Sequence, residues 1–414
     1  MISDNKSVFH FNNGIYSFFR IGGKFMEYNF YFDESFHDRN ITYNSLKSND
    51  YFNSYVSVGI GIEKNDVDSI EKKFLSFEKI YKDKYDTFEL KSSVVAKKHY
   101  RCGISSFNTL EVDMYSSFFD FLLQNKIIYY INLSDKFELL LDQCEINGFC
   151  LNVSAIVYSM TKIINVYRPK QVITDVLKSS SQFLYDFKLF CINQMKKNSN
   201  IKLKEQENRA LSQMITFIDL FDVSNVNFEF DYGYCMTFEG LKKFQNEINI
   251  DRINVIIDKE GNGKICDCAK YVGYNNAEES DSKESFGVRI SDLLCGFISR
   301  MMFALYNDTK HDLSLPYNEK HLLSKEWFVL SKKKFDLYKK ISKYLKLESN
   351  IYYSTYVSRY FDLFGEFVGL IYYIDMFYSY EEFNCRSADF HFNEGNNFIM
   401  NIIMNHIRRM EENI

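Results

Sequence analysis

Proline is nearly missing from this chain, with two in 414 residues, and tryptophan occurs once. No Pro-rich or Gly/Ser-rich run marks a linker, so composition draws no clean boundary between structural units. Long apolar runs are missing too: no stretch reaches the ~18 uninterrupted apolar residues that a membrane span needs. The nearest, Tyr360 to Tyr380, carries Asp362, Glu366 and Asp375 and reads as a buried helix. Met1-Ile2-Ser3-Asp4-Asn5-Lys6 lacks the basic-then-apolar pattern of a secretory signal. Excess positive charge is absent as well. Lys and Arg total 50 against 55 Asp and Glu, a net charge of −5, so any phosphate contact has to come from local basic patches or bound metal. Nine cysteines, an odd number without a small secreted framework, indicate reduced thiols. A cytoplasmic chain with no membrane contact is expected.

What is present is ordinary globular material, 46% hydrophobic and 25% charged, which excludes a disordered or fibrous protein. The 40 Phe and 31 Tyr share A/T-rich codons with Ile, Lys and Asn, so they reflect base composition rather than a stacking surface. Strand patterns run from Met26 to Glu34, Tyr55 to Ile62 and Lys126 to Leu133. Between them lie a helix capped by Asn65 or Asp66, an extended piece at Phe88-Glu89-Leu90-Lys91, and a helix opened by the capping-box pair Asn108 and Glu111. This alternation argues for an α/β layer architecture. Helical periodicity dominates from Asp135 to Asp222. Strand signals return at Asn227 to Phe230 and Ile253 to Asp258, flanking a helix over Thr237 to Asn249. Lys259 to Lys264 reads as a hairpin turn, Val288 to Leu305 as a helix, and His311 to Ile414 as helical again.

Four acids stand at the ends of core elements: Asp33, Glu89, Asp258 and Asp292. Strand alternation puts Asp33 on the face of Asn29 and Tyr31, and Glu34 on the opposite face with Phe30 and Phe32. Asp292 lies beside Cys295, Gly296 and Ser299, small residues that let its helix approach a sheet closely. Gathered carboxylates repel one another and their pKa values rise. A divalent cation resolves that conflict, and Mg²⁺ or Mn²⁺ suits an all-oxygen set. Other motifs fail. The loop at Asp258, Glu260 and Asn262 has Ala269 where an EF-hand needs its bidentate Glu. Gly263-Lys264 lacks the P-loop glycine and Ser/Thr, and Cys266-x-Cys268 has no second pair for zinc. Lys97-Lys98-His99-Tyr100-Arg101 fits a solvated face and a substrate-backbone contact equally. Lys332-Lys333-Lys334, Lys339-Lys340, Lys343 and Lys346 decorate one helix whose default role is a solvated surface. His37 is a candidate for proton transfer.

The runs Tyr31-Phe32-Asp33-Glu34-Ser35, Phe88-Glu89-Leu90-Lys91, Ile256-Ile257-Asp258 and Ile290-Ser291-Asp292-Leu293-Leu294-Cys295-Gly296 resemble, in order and approximate spacing, the blocks of the domain of unknown function 3800 family. The resemblance covers roughly 26–135 and 225–305. It implies a ribonuclease H-like mixed sheet and places Asp33, Glu89, Asp258 and Asp292 at that fold's metal site. It also implies a setting near mobile-element or phage-defence genes. Two departures stand out: Phe36 where the family commonly has Gly, and Arg289 where it favours Gln. Arg289 would then contact phosphate or pair with one of the acids.

The expectation is an α/β protein with a ribonuclease H-like core formed by 1–135 and 225–310, a helical insertion at 136–224 and a helical C-terminal region at 311–414. Its expected activity is Mg²⁺- or Mn²⁺-dependent hydrolysis of RNA or DNA by a two-metal mechanism. Asp33, Glu89, Asp258 and Asp292 would be catalytic and metal-binding, and Lys91, Lys97, Lys98, Arg101 and Arg289 would bind substrate. The helical regions would take a protein partner or a second copy. The alternatives are a non-catalytic scaffold or sensor of a defence complex, and a metal-dependent nucleotide phosphohydrolase.

Overall fold

The computed structural model describes residues 25–36, 41–48, 51–125, 127–143, 145–146, 153–176, 178–222, 232–259, 263–312, 319–346, 353–357, 359–360 and 362–412. The first strand, β1 (Glu27–Ser35), is followed by β2 (Ser54–Glu63), α1 (Val67–Tyr85), α2 (Thr109–Gln124) and β3 (Ile128–Asp135). Next come α3 (Val153–Tyr167), α4 (Ser180–Asn198), α5 (Glu205–Ile218) and α6 (Tyr232–Glu247). Then follow β4 (Arg252–Asp258), α7 (Lys264–Val272), β5 (Glu278–Ser280) and α8 (Phe286–Thr309). The chain continues through α9 (Lys332–Lys346), β6 (Tyr353–Val357), α10 (Asp362–Asp375) and α11 (Ala388–Glu412).

Six strands form one mixed sheet in the order β6-β3-β2-β1-β4-β5. Only β2 runs against the rest, antiparallel to both β1 and β3, while β1–β4, β4–β5 and β3–β6 are parallel. Alternation along β1 sends Phe30 and Phe32 to one face, where they meet Phe238, Leu241 and Phe244 of α6 and Ile265 of α7. It sends Tyr31 to the other, where α1, α2 and α8 pack. Gly59 and Gly61 of β2 make room for the first face: a Cβ on either would stand 2.6 Å from the Phe32 or Phe30 ring.

The capping box forms as expected, with Asn108 Oδ1 accepting from Glu111 N at 3.0 Å and Glu111 Oε2 from Asn108 N at 2.8 Å. Asp66 makes no side-chain cap; a 3-10 turn over Lys64–Asp66 leads into α1 instead. Residues 260–262 of the expected hairpin turn lie outside the described residues; beyond them the chain forms α7 and returns as β5 parallel to β4, a helical crossover of the kind parallel strands require. The strand expected at Asn227 to Phe230 lies outside the described residues.

The insertion has its own apolar cluster, built on Ile156, Met160 and Ile164 of α3, Phe183 and Phe187 of α4, and Leu211 of α5. The C-terminal region shares the main core instead: Trp327, Phe335, Tyr338 and Phe367 belong to one cluster with Tyr31, Val58 and Ile290. It is not wholly helical either, because β6 extends the sheet beside β3. The lysines of α9 are mostly internal partners. Lys333 meets Asp113 at 2.8 Å, Lys340 pairs with Asp120, Lys334 donates to Ser105 O at 2.5 Å, and Lys339 meets Asp375 at 2.7 Å. Among the described residues, no helix is long and apolar enough to cross a membrane.

Candidate active site

Phe32 of β1 pairs with Ile257 of β4 in parallel register. The next residue on each strand is an aspartate, so Asp33 and Asp258 stand near the C-terminal ends of neighbouring strands and share the face of Tyr31 and Ile256. Glu34 turns to the opposite face, where its Oε2 accepts from Tyr55 Oη at 2.6 Å. Asp292 reaches these strand ends from the N-terminal part of α8, which lies across β1 and β2. Small residues permit that approach: a Cβ on Gly287 would sit 2.3 Å from the Tyr31 ring, and one on Gly296 would sit 2.2 Å from both Cβ and Oγ of Ser92. Ser291 Oγ donates to Val58 O at 2.6 Å and Cys295 Sγ lies 3.5 Å from Ser35 Oγ, which ties α8 to the sheet.

The fourth acid comes from the loop after α1. Ser92 clamps this loop to α8, donating from its backbone N to Asp292 Oδ2 at 2.6 Å and from Oγ to Oδ1 at 2.9 Å. Arg300 donates to the Ser92 carbonyl. On the same loop Lys91 Nζ stands 3.7 Å from Glu89 Oε1, a buried oxygen that makes no hydrogen bond. Phe88, just before it, is 99% exposed.

The acids sense one another. Burial pushes the Asp33 carboxyl well above its ordinary range, and the charges of Asp292, Asp258 and Glu34 add to the rise. Asp258 is also raised by burial; its bond from Lys259 N and the nearby Lys91 oppose this, while Glu89 and Asp281 reinforce it. Asp292 is raised by burial against the two Ser92 bonds, Arg300 and Lys91. The fold thus brings Asp33, Asp258 and Asp292, with Glu89 and Lys91, into one electrostatic neighbourhood. Among the described residues, however, no three His, Cys, Asp or Glu side chains stand together as a ready cradle for an ion.

The basic residues divide. Lys97 Nζ lies over the rings of Phe36 and Phe303, at 5.4 and 5.7 Å, which holds it near the residues that follow Asp33. Lys98 and Arg101 are exposed. Arg289 is not available to phosphate, contrary to expectation, and none of the four acids is its partner. It is buried, with Nε 2.9 Å from Glu78 Oε1 and Nη1 donating to Ser282 O at 2.6 Å. Glu78 also accepts from Leu90 N at 3.3 Å, so Arg289 props the loop that carries Glu89 and Lys91. His99 pairs with Glu111, and His37 lies outside the described residues.

Phe36 adopts a φ of 65°, left-handed backbone that glycine enters far more readily. Its ring is held by Phe52 at 4.8 Å and Phe303 at 5.7 Å, so aromatic packing retains a turn that the side chain disfavours. Ser92, Arg300 and Glu78 were not legible as site residues. The usable signal is the spacing of Asp292, Gly296 and Arg300, which puts an acid, a gap and a base along one helix face.

Comparison of the chain with protein-family models, curated proteins and solved structures finds no match.

Proposed function

We propose that this chain is a metal-dependent nuclease with a ribonuclease H-like core. The observation that carries the reading is the grouping of Asp33, Asp258 and Asp292, from two parallel strands and a helix, each raised by burial and the first also by the other two. Carboxylates that share one electrostatic neighbourhood in this way favour a cation. A mixed sheet in which β2 alone is reversed is compatible with such a core. Asp33, Glu89, Asp258 and Asp292 would hold Mg²⁺ or Mn²⁺, whose contribution would be to activate water and stabilise a leaving oxygen. Their donors are all oxygen, and Glu89 Oε1 has no competing hydrogen bond. Lys91 and Lys97 would position the phosphate backbone, and exposed Phe88 offers a face on which a base can stack.

A second reading, a non-catalytic scaffold or sensor, draws on the absence of a ready ion cradle among the described residues and on the occupation of both Asp292 oxygens by Ser92. One experiment separates the two. Purified protein is incubated with labelled RNA, DNA and hybrid substrates with Mg²⁺, Mn²⁺ or chelator, beside Asp33→Asn and Asp258→Asn. The nuclease reading expects metal-dependent cleavage that falls by roughly 100-fold or more in each variant. It also expects Mn²⁺ affinity to rise with pH, because protons compete for raised carboxylates. No cleavage and no Mn²⁺ binding by the wild type would leave the scaffold.

A further inference from the structure

A second polar site lies beyond these acids. By strand register Asp135 sits four residues further along and two strands over from Asp33, about 16 Å away at ~3.3 Å per residue and ~4.8 Å per strand. There a cavity of about 160 Å³ opens between the insertion, the C-terminal end of α8 and the start of α10.

Its carboxylates are already compensated. Asp135 Oδ2 accepts from Asn53 and Asn165, each at 2.8 Å, and its Oδ1 accepts from the N–H groups of Phe137 and Glu138. Asp362 pairs with Lys162 at 2.8 Å and accepts from Tyr158 Oη at 2.7 Å. Glu366 pairs with Lys320 and accepts from Thr309. The cations are not all balanced. The guanidinium of Arg168, half-buried on the wall, donates to Leu46 O at 2.6 Å and lies over the Tyr306 ring at 5.7 Å. Among the described residues it meets no carboxylate, and neither does exposed Lys310 at the cavity wall.

The backbone fixes where this arginine stands. Arg168 directly follows α3, with a φ of 45°, and precedes Pro169. A non-glycine residue is disfavoured in left-handed backbone, and proline disfavours helical geometry in the residue before it. The left-handed turn ends the helix and sets the arginine on the cavity wall.

We propose that this cavity binds a small oxyanion-bearing metabolite. Its carboxylate or phosphate pairs with Arg168, and exposed Lys310 on the same cavity wall attracts it. The volume, near that of a cavity that admits benzene (~150 Å³), restricts the ligand to a single small molecule and excludes a nucleic-acid strand. This site is independent of the nuclease reading.

The test is calorimetry and thermal shift on the full chain, with inorganic phosphate and O-phosphoserine in one arm, succinate and L-glutamate in the other, and glycerol as neutral control. At least one arm is expected to bind with Kd below about 1 mM and to raise Tm. Arg168→Gln is expected to weaken that binding by about 10-fold or more. Should Arg168→Gln fold poorly, exposed Lys310→Gln serves instead and is expected to lower affinity and its salt dependence. Binding in neither arm, or unchanged affinity in the variant that folds, overturns the proposal.

Discussion

Gly296 gives the sharpest test of how the candidate site is assembled. In Gly296→Ala the new Cβ would meet Cβ and Oγ of Ser92 at 2.2 Å, against a contact distance of ~3.5–4.0 Å, so Ser92 has to retreat by more than 1 Å. That movement breaks both of its bonds to Asp292, each worth roughly 1.5–3 kcal/mol because the acceptor is charged. Overpacking adds about 1–3 kcal/mol if the loop resists. The expected loss is therefore about 4 kcal/mol or more. Ser92→Gly removes the obstructing Cβ and Oγ but keeps the backbone bond, at a cost of about 2 kcal/mol. The double variant should resemble Ser92→Gly, which makes the two changes non-additive by about 4 kcal/mol. Trp327, the single tryptophan and fully buried in the same core, reports urea unfolding by fluorescence. Additive effects, or a Gly296→Ala midpoint equal to wild type, would refute the close approach and with it the placement of Asp292.

Two further outcomes are expected. Arg289→Met leaves Glu78 buried and uncompensated and should destabilise by about 3–5 kcal/mol, whereas Glu78→Met with Arg289→Met recovers most of it, as urea midpoints would show; equal losses in single and double variants would contradict the pairing. Asp135 is pushed up to about 7 from an ordinary 3.8, chiefly by burial. Because the folded state favours its neutral form, stability from this group is present below about pH 4 and is lost as pH rises to about 7, at most roughly 4 kcal/mol. Asp135→Asn keeps an oxygen for the Phe137 and Glu138 N–H groups at the start of the Lys136–Leu141 helix and should remove that slope, so parallel stability–pH curves for variant and wild type would count against it.

The sequence alone determined the strands that carry Asp33 and Asp258, the Asn108–Glu111 cap and the buried character of α10, because alternation, capping and helical spacing are local properties of neighbouring residues. The face shared by Asp33 and Tyr31, and the opposite turn of Glu34, followed from the same period of two. Tertiary structure alone decided that Arg289 turns inward to Glu78, that Ser92 occupies the space a glycine leaves on α8, and that Lys333, Lys339 and Lys340 of α9 answer acids on other elements. It also decided that β5 and β6 join the sheet, since β5 is too short to carry a pattern and β6 is recruited by an edge more than two hundred residues earlier in the chain. Charge partners and strand neighbours far apart along the chain are chosen by packing, and no local periodicity records that choice.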